Sequence, residues 1–90
     1  MPTKTRASFR LYAEDVASTL EDNDFAYDTS PMKDNLGTRF DVSVKAGNAV
    51  ILCYKTARAV LQGAKSPKLQ RLLTEQENIR LTGRPGGLFG

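Results

Sequence analysis

The sequence predicts an α+β fold, an antiparallel sheet covered on one face by two helices, with the element order β-α-β-β-β-α. Three observations carry that reading. Two apolar runs, Ala49–Tyr54 and Ala59–Leu61, flank the polar break Lys55-Thr56-Ala57-Arg58, the pattern of a β-hairpin. In Thr38–Lys45, apolar Phe40, Val42 and Val44 alternate with Arg39, Asp41, Ser43 and Lys45, the period of a strand with one buried face. Two further segments change to helical period: Ala13, Val16, Ala17 and Leu20 near the start, and Leu69, Leu72, Leu73, Gln76 and Ile79 near the end. A lone hairpin is marginal in water, so a third strand and a helical cover are required of the flanks.

Along the chain, residues 1–6 are polar and expected to be flexible, and one domain is expected over residues 7–80. Phe9 and Leu11 alternate with Ser8 and Arg10, a short strand. The first helix follows over Glu14–Asn23, with Glu14 and Asp15 where the helix dipole favours negative charge and Asn23 as its stop. Asp24–Gly37 is rich in Asp, Asn and Ser and contains Pro31. It reads as a loop with at most a short strand around Phe25–Tyr27, those two rings tucked under the sheet edge.

A turn at Ala46-Gly47-Asn48, with Gly47 free to take positive φ, leads from Thr38–Lys45 into Ala49–Lys55. A two-residue turn at Thr56-Ala57 then sets Lys55 opposite Arg58, Tyr54 opposite Ala59, Cys53 opposite Val60 and Leu52 opposite Leu61. In that register Phe40, Val42, Val44, Val50, Leu52, Tyr54 and Leu61 face the core. The outer face carries Arg39, Ser43, Lys45, Ile51, Cys53, Lys55, Arg58, Val60 and Gln62. Ser66-Pro67 opens the last helix, Ser as N-cap and Pro in the first turn. Residues 81–90, ending in a Gly- and Pro-rich stretch, are expected to be a flexible tail.

Ninety residues at 40% hydrophobic and 26% charged suit a single globular domain that needs neither metal nor disulfide. The single cysteine, Cys53, is expected as a buried or half-buried free thiol, which implies a reducing, cytoplasmic setting. No apolar run approaches the ~18 residues a membrane helix needs, and no signal peptide is seen. The net charge of +3 is unevenly spread. Residues 1–13 hold +3, residues 14–41 hold −6, and residues 42–90 hold +6, so the folded surface should have two poles.

No catalytic set is visible, and an enzyme is not expected. There is no His for general-base work, no Gly-rich phosphate loop, and no base beside a Ser or Cys nucleophile. The pairs Glu14-Asp15 and Glu21-Asp22 diverge as helix neighbours, and the aspartates of 22–34 lack the Gly and terminal Glu of a calcium loop. With no His and one Cys, neither a zinc site nor any other cofactor is expected.

The basic residues are the candidates for function. Lys65, Lys68 and Arg71 surround the start of the last helix, where positive charge opposes the dipole and where an incoming anion would meet both cations and free N–H groups. Arg39, Lys45, Lys55 and Arg58 form an expected rim around Ile51, Cys53 and Val60, a surface that suits a nucleic-acid backbone or a protein partner. Tyr54, on the core side in this register, leaves that face without a stacking platform.

The segment Tyr54-Lys55-Thr56-Ala57-Arg58-Ala59-Val60-Leu61-Gln62-Gly63 resembles the hairpin of the small N-terminal domain of type 3 ribonuclease H, where a Tyr, a Ser-Gly turn, a Lys and a closing Gln-Gly recur. Phe9-Arg10-Leu11 and the acidic helix opening Glu14-Asp15-Val16 are similar to that domain's first strand and helix. The resemblance covers about residues 7–80 and implies a half-unit of the TATA-binding-protein fold. It departs at Ala57, which stands in place of the turn glycine. In that family the domain holds an RNA/DNA duplex for a separate catalytic domain, which is not expected within these ninety residues. The resemblance therefore implies a free-standing binding module, with Lys55, Arg58 and Gln62 at or near the nucleic-acid face. Similar units in bacterial toxin and phage-defence proteins contact protein instead.

Two functions are thus expected. The first is a small non-catalytic module that contacts duplex or hybrid backbone through Arg39, Lys45, Lys55, Arg58, Gln62 and the Lys65, Lys68 and Arg71 cluster. The alternative is a protein-interaction module, such as a phage- or plasmid-encoded regulator or inhibitor of a bacterial complex, or a homodimer. Neither involves a membrane.

Overall fold

The computed structural model describes residues 7–82 and confirms the α+β class, with one strand more than the sequence predicts. The elements are β1 (Ala7–Phe9), α1 (Ala13–Asp22), β2 (Tyr27–Pro31), β3 (Gly37–Val44), β4 (Gly47–Tyr54), β5 (Arg58–Gly63) and α2 (Pro67–Thr82). The five strands form one antiparallel sheet in the order β1-β5-β4-β3-β2. Both helices lie on one face, where Val16 and Leu20 of α1 and Leu69 and Leu73 of α2 join Phe9, Phe40, Val42, Ile51 and Leu61 in one buried cluster. Each fully buried aliphatic there contributes roughly 1.5–3 kcal/mol. An exposed ion pair contributes at most about 1 kcal/mol, so this cluster holds the fold together.

Local signals set the helix ends. The Tyr12 N–H donates to the Asp15 carboxylate at 2.9 Å and so satisfies one orphan donor at the start of α1. At its end, Phe25 N–H donates to Leu20 O (3.0 Å) and Asp24 N–H to Glu21 O (3.2 Å), with Asp24 at φ 58. That is a Schellman closure with aspartate in the left-handed position. It carries the Phe25 ring back against the core. Ser66 Oγ accepts from Leu69 N–H at 3.3 Å, and Pro67 is the first residue of α2, as expected.

Three expectations are corrected. The segment read as a loop contains the edge strand β2, which pairs with β3 from Tyr27↔Val42 to Pro31↔Thr38. Its Asp, Ser and Pro are poor strand formers, and only Tyr27 and Thr29 favour a strand. Pairing to β3 decides the conformation, and Pro31 is tolerated because an edge strand leaves one side of its backbone unpaired. Residues 81 and 82, expected in the tail, close α2; the rest of the tail and residues 1–6 lie outside the described residues.

The third correction concerns β4, which presents the opposite face. Ala49, Ile51 and Cys53 are buried, whereas Val50, Leu52 and Tyr54 stand half-buried on the face away from the helices. The cause is turn length. Val44 pairs with Gly47, so the first turn holds two residues, one fewer than expected; Tyr54 pairs with Arg58, so the second holds three, one more than expected. A slip of one residue turns every side chain of a strand over. The two slips have opposite sign, so β5 returns to the expected face, with Leu61 inside.

The three-residue turn places Ala57 at φ 62, a left-handed position that costs a non-glycine residue about 1 kcal/mol. Ala57→Gly is therefore expected to stabilise the domain by about 0.5–1 kcal/mol. Urea denaturation checks this. A variant less stable than the parent would mean that the turn does not hold this conformation.

Candidate functional site

The register sorts the predicted basic residues into three places. Arg39 on β3 and Arg58 and Gln62 on β5 stand on the open face, as expected. The floor between them is Val50, Leu52 and Val60, not Ile51 and Cys53. Arg39 is already engaged: its Nη2 and Nε donate to the two Asp41 oxygens at 3.1 and 3.2 Å, and Asn48 Nδ2 adds a third contact at 3.4 Å. The Arg39 hydrogen bond is the main cause that holds the Asp41 carboxyl below its usual range. Asp28 stands directly opposite Asp41 on β2. The open face of the strands thus carries Arg39 and Arg58 against Asp28 and Asp41, and its charge balances. Tyr54 also lies on this face, contrary to expectation, so an aromatic ring is present there.

Lys45 and Lys55 sit in the turns at opposite ends of β4, about 23 Å apart at ~3.3 Å per residue, and do not share a rim. Lys45 instead meets Lys65 and Lys68. The three lysines line a groove of about 560 Å³ together with Phe25, Val44, Ala46, Ser66 and Pro67. The Gly47 turn brings Lys45 there, the loop after Gly63 brings Lys65, and the first turn of α2 brings Lys68. The Lys68 ammonium lies 5.8 Å from the centre of the Phe25 ring, within range of a cation–π attraction. No acid stands in the first turn of α2 to offset these charges. Arg71 is exposed on α2 three residues beyond Lys68 and outside the groove.

A second groove, of about 550 Å³, opens at the other end of the sheet and is lined by Arg10, Arg58, Arg80 and Glu77 among others. Two of its charged side chains, Glu77 and Arg80, are tied into the fold. The backbone N–H of Arg10 donates to the Glu77 carboxylate at 2.8 Å, while Arg80 stacks 4.3 Å from the Tyr12 ring centre and meets Asp15 at 3.4 Å. These contacts tie the end of α2 to β1 and to the start of α1. Sequence reasoning missed Phe25 as a member of the lysine groove. No periodic signal marks it, because the Schellman closure of α1 is what brings it there.

Cys53 is buried on the helix side, and burial pushes its thiol up to about 12, with the Asp15 charge a smaller cause. It is a protonated packing group at neutral pH. Among the described residues no group of three or more His, Cys, Asp or Glu side chains is placed to hold a metal ion, and no helix is long and apolar enough to cross a membrane. What the arrangement offers chemically is a cationic, partly apolar groove and a neutral, partly apolar sheet face. No family model, curated protein or solved structure matches the chain.

Proposed function

We propose that the chain is a non-catalytic binding module that grips the phosphate backbone of a nucleic acid at the corner where the β3–β4 turn meets the start of α2. The observation that carries this is the convergence of Lys45, Lys65 and Lys68, from three separate segments, on one groove. Like charges gathered without an acid cost folding energy, and an anionic partner relieves that cost. Arg71 extends the cationic strip along the helix, while Lys55, Arg58 and Gln62 remain available to a partner that reaches past the sheet.

Two helices on one face of an antiparallel sheet, with the other face open, support the further reading of the chain as a TATA-binding-protein-like half-unit. That reading would place the nucleic acid on the sheet. The balanced charge of the sheet face favours the lysine corner for phosphate instead. The unpaired buried Cys53 supports a reducing, cytoplasmic setting.

Three phosphate contacts predict a slope of about −2.7 for log K against log salt on duplex DNA, hence about 40-fold weaker binding at ~200 mM than at ~50 mM salt. Fluorescence anisotropy with a short DNA duplex and an RNA/DNA hybrid reads this. Lys68→Glu should weaken both complexes and flatten the slope. Binding that ignores salt, or no binding to either probe at the lower salt, would sink the proposal.

A further inference from the structure

We propose that the open face of the sheet is a self-association surface that takes a second copy of this chain. The face is self-complementary when the register is laid out. Its central row is Arg39, Leu52 and Val60 on β3, β4 and β5. Asp41 and Val50 lie one row to one side of it, and Tyr54 and Arg58 one row to the other. Asp41 and Arg58 therefore sit at opposite ends of a diagonal through Leu52.

A two-fold axis lying between two such faces, through Leu52 and across that diagonal, sets Arg58 of each copy over Asp41 of the other. With strands ~4.8 Å apart and a rise of ~3.3 Å per residue, the same operation sets Tyr54 over Arg39 and Leu52 over its own counterpart, while Val60, 3% exposed, lies below the contact surface. Opposite charges meet, an arginine meets a ring, and apolar groups meet apolar groups. The strands of the two sheets then cross steeply, in the manner of orthogonal sheet packing.

The strands span 3, 5, 8, 8 and 6 residues, so at ~3.3 Å per residue and ~4.8 Å per strand the face covers about 475 Å² per copy and about 950 Å² in all, the size of a weak, reversible interface. A phosphate backbone finds no surplus positive charge on this face. The lysine corner lies beyond the strand ends on the helix side, so self-association leaves it accessible.

Sedimentation velocity on the full chain tests this over concentrations spanning a dissociation constant of about 10 µM. Arg58→Asp and Asp41→Arg, each alone, put like charges face to face and should raise the dissociation constant at least about 100-fold. An equimolar mixture of the two variants should dimerise again, because each supplies the charge the other lacks. Leu52→Lys, which brings two ammonium groups together on the axis, should also be monomeric with an unchanged circular dichroism spectrum, and it serves if a charge variant does not fold. Lys68→Glu should leave the dimer intact while weakening nucleic-acid binding. A parent chain that sediments as a monomer throughout, a folded Leu52→Lys variant that still dimerises, or a mixture of folded charge variants that stays monomeric would overturn the proposal.

Discussion

Replacing Gly37 with alanine is expected to remove most of the stability of the domain. Gly37 opens β3 and pairs with Tyr54. A Cβ built on it would overlap the carbonyl oxygen of Cys53 and lie 2.9 Å from backbone carbons of Cys53 and Tyr54. All three contacts are backbone atoms of the central strand, so no side chain can swing aside. The strain can be relieved only by moving β3 away from β4, which breaks the Thr38↔Cys53 pairing and the bond from Lys55 N–H to Leu36 O at 3.1 Å. A loss of about 3–5 kcal/mol follows, against a total of about 5–13 kcal/mol for a chain of this size. Thermal denaturation should show a fall in Tm of at least about 12 °C. A fall of less than about 4 °C would mean that the strands are not so closely apposed at this point.

The second large effect is a contrast between neighbours. Ile51 is fully buried and pairs with Phe40 and Leu61, whereas Leu52 stands half-buried on the open face between Arg39 and Val60. Ile51→Ala should cost about 2–5 kcal/mol, because the removed methylenes leave a cavity between the sheet and the helices. Leu52→Ala should cost about 1 kcal/mol or less. Urea denaturation of both, at concentrations low enough to keep the chain monomeric, checks the order. If Leu52 proved the costlier site, β4 would present its other face to the core.

That contrast also marks where the sequence stops being informative. The alternation of Thr38–Lys45 fixes a half-buried strand, and both β3 and β5 took the expected face. β4 did not, because every residue from Ala49 to Tyr54 is apolar, so neither of its faces is favoured by composition. Turn length then decides, and one residue more or less is invisible in Lys45-Ala46-Gly47 and Lys55-Thr56-Ala57. Likewise β2 carries little propensity of its own beyond Tyr27 and Thr29. It is a strand because β3 offers it an unpaired edge.

Lys65 and Lys68 could be read as a cluster from their spacing, since they flank the Ser66-Pro67 helix start. Lys45 could not be placed with them, because some twenty residues separate it from Lys65 and only the sheet register brings the two together. Phe25 needed the left-handed closure at Asp24. The sequence by itself determined the approximate helix positions, the Ser66 cap and the face of β3, because each is a local matter of period, capping or composition. Tertiary structure decided the fifth strand, the orientation of β4 and the membership of the lysine groove, because pairing and packing between distant segments outweigh weak local preference.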